Sequence, residues 1–351
     1  MTGRDDVIHS MAILTMWRSV STLLIAAMLS ASCGGSAQGS RVSRIRQRGV
    51  LVCGVFPGIA GFAQVDRQGH YTGFDVDFCR AVAAAIVGSA ERIRYQQADS
   101  IEVLQRSSDI DIVSRRLTWS LRREGLHVLF GPVTFYDGQG FLVPERLHID
   151  RVPQLAGAPV CVAEGSEHDV TLTAYFRRHQ IALDKVAVVD GSAGGRALAD
   201  GRCQALSADV SELASVRSTL DNPRGFRILA ERISQEPLAQ LVRAEDVDLF
   251  NVLRWTVFAM IAAEELGITS ANISEMAAQD NPDVARLLGV SAGNGAALGL
   301  DEAWARHVIA DVGNYGEVFE RNLGMATPIA LERGLNAPWS RGGLLYAPPL
   351  K

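Results

Sequence analysis

The chain has 351 residues, 48% hydrophobic and 21% charged, with a formal net charge of -5. This balance describes a globular protein of about two ordinary domains and argues against a large nucleic-acid footprint. Basic charge is almost entirely arginine, since lysine occurs only at Lys185 and Lys351.

The N-terminal stretch MWRSVSTLLIAAMLSASCGG reads as an export signal. Met16 and Arg18 begin it, an apolar run from about Leu23 to Leu29 follows, and small residues lead to Cys33. Asp5 and Asp6 fit such a signal poorly, which makes Met11 or Met16 an alternative start. SASC resembles a lipoprotein box in which Cys33 carries lipid, although Ser30 stands where leucine is preferred and the leucine is one place earlier, at Leu29. Cleavage after Ala37 is the other reading. Residues 1–37 are therefore expected to be leader and linker. No later apolar run approaches 20 residues, so the mature part is expected to be soluble.

In chain order, VLVCGV (50–55) has the pattern of a buried strand. A loop with Pro57, Gly58 and Gly61 follows. GHYTGFDVDFCRAVAAAIVG predicts a hairpin tip entering a helix, with Phe74, Phe78, Val82 and Ile86 on one face. Asp75 and Asp77 near its start are read as capping carboxylates. A strand near 92–96, a helix near 100–106 and a strand at 109–113 come next. The stretch SRRLTWSLRREG (114–125) then sets four arginines around Thr-Trp-Ser. It has two readings, a solvated helix start or a pocket for a small carboxylate.

GQGFLV (138–143) predicts a strand leaving the first lobe. A second alternating region has strands at 159–163, 185–189, 203–207 and 226–230, with helices at 168–178, 193–200 and 210–219 between them. Such alternation predicts parallel α/β sheets. A return strand at 233–242 precedes helices near 246–266, 271–279, 282–288 and 301–322. Residues 289–304 read as a flexible glycine-rich loop. Their G-x-G spacing lacks a preceding strand and so fails as a phosphate loop. Glu264 and Glu265 are expected to be solvated.

The mature part holds Cys53, Cys79, Cys161 and Cys203, which permit three pairings in an exported protein. Their places in the element order favour Cys53–Cys79 and Cys161–Cys203, one bond per lobe, with four free thiols as the alternative. The scattered histidines and the lack of a C-x-x-C pair argue against a metal site.

GFDVDFCRAVAAAI, SRRLTWSLRRE, FYDGQGFLV, GRCQALSADVSEL, ISQEPLAQLVR, GNYGEVFERNLG and GLNAPWSRGGLLYAPP together resemble the periplasmic general L-amino-acid-binding proteins of ABC importers. These are a branch of the polar amino-acid solute-binding family, family 3, and the likeness runs from about residue 41 to the end. It implies a two-lobed α/β fold of the type II periplasmic-binding-protein kind, each lobe a mostly parallel sheet flanked by helices and joined by two crossing strands near 137–143 and 232–237. Residues 41–138 with 236–351 would form the first lobe and residues 139–235 the second. It further implies an extracytoplasmic monomer that binds a small L-amino acid, uses no cofactor and performs no reaction. The expected partners are a membrane permease and its ATPase.

The same resemblance assigns site residues. Arg123 grips the α-carboxylate, with Thr118 and Ser120 at the hydroxyl positions. Ser166 and Glu167 stand where the second lobe meets that carboxylate, and Glu167 departs from the family pattern by its charge. Asp209 holds the α-ammonium. Gly61, Phe62 and Ala63 line the pocket, and Arg115 matches an arginine of this branch, while Arg116 and Leu117 replace smaller polar residues. Each has a plainer rival: Arg123 paired to Glu124, Asp209 capping the helix near Val210, Trp119 in core packing rather than a pocket wall, Phe62 in loop packing, and Arg115 and Arg116 on the surface. A dehydratase resembling cyclohexadienyl dehydratase and a ligand-sensing receptor subunit are the alternative functions.

Overall fold

The computed structural model describes residues 39–351; the leader, its alternative starts and Cys33 lie outside them. The first sheet begins with β1 (Leu51–Val55), preceded by helix α1 (Arg41–Arg48). A small hairpin, β2 (Gln64–Val65) and β3 (Tyr71–Thr72), leads into α2 (Phe74–Val87). β4 (Ile93–Gln97), β5 (Ile112–Thr118) and β6 (Val128–Asp137) follow, and β12 (Glu236–Arg243) returns much later. The order is β4-β1-β5-β12-β6. β1 runs parallel to β4 and β5, whereas β12 is antiparallel to β5 and β6. β1 is buried at all five residues, as a central parallel strand covered on both faces must be.

The second sheet holds β7 (Gln139–Pro144), β8 (Pro159–Ala163), β9 (Asp184–Val188), β10 (Ala205–Asp209) and β11 (Phe226–Ile228). Its order is β11-β7-β10-β8-β9, with β8, β9 and β10 parallel and β7 antiparallel to its neighbours. Helices α3 (Glu167–Arg178), α4 (Gly191–Ala199) and α5 (Val210–Ser218) flank it. The result is a two-lobed α/β fold. The chain passes between the sheets at Gly138 and again through 229–235. A Cβ on Gly138 would stand 2.6 Å from the Ser234 carbonyl oxygen, so the two crossings touch there and only glycine fits.

After β12, α6 (Val247–Glu265), α7 (Trp304–Asp311) and α8 (Tyr315–Asn322) cover the first sheet. The rings of Phe62, Phe74, Phe135, Tyr315 and Phe319 meet edge to face in its core. The remaining C-terminal segment lies across both sheets. Asn336 accepts from the Tyr136 amide through Oδ1 and donates to the Tyr136 carbonyl through Nδ2. Arg217 of α5 donates to the carbonyls of Ile329 (2.7 Å) and Ala330 (3.0 Å). Residues 41–351 thus form one compact unit. Disulfides join Cys53 of β1 to Cys79 of α2, and Cys161 of β8 to Cys203 just before β10.

Several expectations need correction. The strand expected at 109–113 is β5, which starts later and runs through Thr118, because β12 pairs with the arginine-rich segment. β6 was not expected at all. The helix expected at 301–322 is split at Gly313, whose φ of 95° breaks it. Asn314 and Glu317 then restart it with a capping box. Residues 289–304 contain a short helix, Asn294–Leu298, because the Glu302 carboxylate accepts from the amides of Gly293, Gly295 and Ala296. Glu264 is not solvated; its side chain is 8% exposed and pairs with Arg333 and Arg341, while Glu265 is exposed as expected. Among the described residues no helix is long and apolar enough to cross a membrane.

Candidate ligand-binding site

The first-lobe side of the site is built at the end of β5. Its register against β12 shifts between Ala239 and Leu241, and Arg116 takes a φ of 53°. A left-handed conformation at an arginine is strained by roughly 1–2 kcal/mol, so surrounding contacts must hold it. Arg116 supplies them: its guanidinium lies 5.4 Å from the Phe62 ring centroid, and Nη1 donates to Ser211 Oγ of the second lobe. Arg115 lies 5.1 Å over the Phe56 ring. Beneath both, buried Asp75 accepts from Ser114 Oγ. Burial pushes its carboxyl up to about 7, opposed by the charges of Arg116 and Arg115. Asp75 and Asp77 were expected to cap α2, yet neither does: Gly73 is the N-cap residue and makes no side-chain cap bond, and Asp77 instead accepts from Arg321 and Asn322.

Arg123 sits on the single helical turn Leu121–Glu124. Nη1 donates to the Thr118 carbonyl at 2.8 Å, and Nη2 reaches to 3.8 Å from Glu167 Oε2 in the second lobe. Glu124 is engaged elsewhere, accepting from Trp119 Nε1 at 2.9 Å. The Trp119 ring stacks on Phe130 and stays partly exposed. Ser120 is the N-cap residue of that turn, its carbonyl accepting from the Arg123 amide. Phe62 is 1% exposed and belongs to the aromatic core, so its ring meets the site only beneath Arg116. Gly61 is enclosed by the C-terminal segment, where a Cβ would come within 2.6 Å of Ile329. Ala63 is buried.

The second-lobe side is built from two helix starts. Ser166 caps α3: Oγ accepts from the Asp169 amide and donates to the Ala163 carbonyl. The Glu167 side chain is 86% exposed and directed at Arg123. His168, the next residue, brings Nε2 to 3.1 Å from Asp209 Oδ1. Burial alone would lower the His168 pKa, but the hydrogen bond and charge of Asp209, with the charges of Glu212 and Glu236, raise it overall.

Asp209 is the N-cap residue of α5, yet its side chain makes no capping bond. Asp137, arriving from β6, takes that place by accepting from the Ser211 amide with both oxygens at 3.3 Å and from the Gly138 amide at 2.8 Å. Burial, and then the charge of Asp209, push the Asp137 carboxyl up to about 7. Buried Gln139 donates to the His168 carbonyl and to Ser207 Oγ, both at 2.9 Å, and so ties the start of α3 to the sheet.

Arg123, Glu167, His168 and Asp209 therefore meet across the lobes through successive contacts. Arg116–Ser211 and a 2.9 Å bond from the Ala60 amide to Ser215 Oγ also join the lobes. The sequence reading missed His168, Asp137, Asp75 and Gln139. Asp137 and Gln139 lie inside the FYDGQGFLV motif, the one signal that marked them. A groove of about 1180 Å³ beside the crossings, lined by Asp137, Arg217, Arg232, Arg333 and Asn336 among others, includes neither Arg123 nor Asp209.

Residues 51–272 match the bacterial extracellular solute-binding proteins, family 3. The chain is 41% identical to the general L-amino acid-binding periplasmic protein AapJ of Rhizobium johnstonii, over 93% of this chain and 97% of that one. It is also 41% identical to the glutamate/glutamine/aspartate/asparagine-binding protein BztA of Rhodobacter capsulatus, over 92% and 97%. A solved ABC transporter/periplasmic binding protein from Brucella ovis with glutathione bound superposes with a TM-score of 0.81 at 40% identity, covering 90% of this chain and 100% of that one. A family match over more than half of the chain, with relatives this similar along nearly all of it, means that the protein belongs to the family 3 bacterial extracellular solute-binding proteins, which bind solutes rather than transform them.

Proposed function

We propose that this protein captures L-amino acids, polar ones over a broad range, outside the cytoplasm and delivers them to the permease and ATPase of an ABC importer. One observation carries the reading. Arg123 of the first lobe reaches the opening turn of α3, and the carboxylate of Asp209 in the second lobe meets that same turn at His168.

An amino acid is a zwitterion, and each of its charges needs a partner when water is excluded. The planar guanidinium of Arg123 offers two parallel donors to the α-carboxylate. Thr118 and Ser120 add hydroxyls beside it. The first amides of α3, at Glu167 and His168, have no partner inside the helix and face the same carboxylate, while Ser166 holds the turn in shape. Asp209 accepts from the ammonium. Arg115 takes the side-chain end of the ligand, and Trp119 forms the wall on the first-lobe side, with Phe62 supporting Arg116 from beneath. Because the partners stand on both lobes, residues 41–138 with 236–351 and residues 139–235 close on the ligand as rigid bodies. Export follows from the leader, with Cys33 as a lipid anchor.

A micromolar complex requires about 8 kcal/mol of binding free energy, which paired charges on both lobes can supply. Titration calorimetry against the common L-amino acids tests the proposal. Glutathione belongs in the panel because its γ-glutamyl end carries an α-amino-acid head. Saturable heat with one or more polar amino acids is the expected result, and silence across the whole panel rejects the reading.

A further inference from the structure

The carboxylate assigned to the ammonium already has a partner from its own lobe. His168 Nε2 stands 3.1 Å from Asp209 Oδ1, both side chains are mostly buried, and neither is free to drift. The His168 carbonyl is fastened by Gln139, and the turn that carries the residue is fastened by Ser166. Asp209 ends a β-strand and is relieved of capping by Asp137. An imidazolium and an ammonium are both cationic donors, and they cannot occupy the same short contact together.

We propose that His168 is a specificity-determining residue that competes with the ligand's ammonium for Asp209, so that proton uptake by its imidazole expels a bound amino acid. This rests on the assignment of Asp209 as the ammonium acceptor. Binding moves the imidazole off Asp209, and the displaced ring, without the carboxylate that favoured its charge, gives its proton to solvent at pH values between its unpaired and paired titrations. No bond other than N–H is made or broken.

The charges around His168 favour the protonated ring. Asp209 at the end of β10, Glu212 on α5 and Glu236 at the start of β12 all act on it. On its own helix, Glu167 is directed at Arg123 and Asp169 at Lys185. Asp137 lies behind Asp209 and interacts with its charge. Since pairing raises the imidazole pKa, competition is complete at low pH and fades as pH rises through the His168 titration. Affinity for a zwitterion then climbs with pH by at most about tenfold per unit. The Asp137 carboxyl, pushed up to about 7, titrates inside the pH range of the test, so a pH slope alone would not identify the group responsible.

The experiment is calorimetry on the intact protein between pH 5.5 and 8, using buffers of different ionisation enthalpy to count protons, with a polar amino acid such as L-glutamine as probe. The wild type should release protons on binding, most of them between the titration of the displaced ring and that of the ring paired to Asp209 and few at either end of the range, and bind at least tenfold more weakly at pH 5.5 than at pH 8. His168→Gln should lose that proton release and bind about tenfold more tightly than wild type at pH 5.5. His168→Lys, a cation at every pH, should bind at least tenfold more weakly than wild type at pH 8, which also covers a misfolded glutamine variant. If the wild type binds but His168→Gln keeps the same slope and proton count, the competition is refuted while the binding function stands. If the wild type binds neither L-glutamine nor any other common L-amino acid at any pH, the binding function falls, and the competition with it.

Discussion

Two of the three helix starts of the second lobe, those of α3 and α5, look alike in sequence and do different work. Ser166 opens α3 and commits its hydroxyl to its own helix, accepting from the Asp169 amide. Asp209 opens α5 and caps nothing. The α5 amide at Ser211 is served instead by Asp137, which lies 72 positions earlier at the end of β6. Asp209, a good capping residue by type, is thus left free of its own helix because another segment supplies the cap. Residue type therefore identifies neither role; what decides it is which carboxylate or hydroxyl reaches the first-turn amides.

Substitution should separate the two starts. Replacing Asp209, or its counterpart Arg123 across the cleft, with alanine should weaken amino-acid binding by a hundredfold or more, since stranding a buried charge costs about 3–5 kcal/mol. The melting temperature should stay close to that of the wild type. Unchanged affinity in titration calorimetry with Asp209→Ala would show that the second lobe recognises its ligand elsewhere.

Asp137 supplies the next effect, which is one of pH. Its carboxyl is raised to about 7, above the value of about 4 for an unfolded aspartate. A raised acid favours the folded state fully below the lower value, and the benefit disappears as pH climbs through the higher one. Asp137→Asn keeps an acceptor for Ser211 but cannot ionise, so relative to wild type it should gain stability between pH 5 and pH 8. Urea unfolding at both pH values measures this. Curves that stay parallel would mean that Asp137 carries no such charge penalty. Asp75, raised in the same way, remains as a background contribution in both proteins.

The smallest effect belongs to Ser166→Ala. Loss of an N-cap costs about 1 kcal/mol, roughly 2 °C in melting temperature for a chain of this size. Affinity should move by less than about threefold, because the hydroxyl is used within the helix. A larger loss of affinity than of stability would place Ser166 on the ligand and erase the contrast with Asp209.

These contrasts show where sequence reading succeeds and where it stops. β1 and α2 are legible because their apolar residues repeat at the period of their own geometry. β6 is not, because Gly131 and Pro132 interrupt VLFGPVTFYD. Proline is tolerated there because β6 is the edge strand of its sheet, and Gly131 lets Leu253 approach to 3.1 Å of where its Cβ would stand. The arginines of β5 likewise hide a strand, since pairing with β12 overrides their weak preference for one. The segments that carry Arg123 and Asp209, the proposed ligand contacts, could be picked out in advance because each is a recognisable motif. The contact of His168 with Asp209 and the service of Asp137 to α5 could not. Both depend on segments 40 or more positions apart meeting in space, and no local pattern encodes such a meeting.

The C-terminal segment has a practical consequence. The family match ends at residue 272, yet Asn336 grasps the main chain of Tyr136 one residue before Asp137, and Ile329 and Ala330 receive Arg217 from the far lobe. The tail therefore acts as a ligament over the joint. A fluorescent biosensor trimmed to the matched portion would sever that ligament, and its signal would report the play of a loosened joint instead of the travel of the native one.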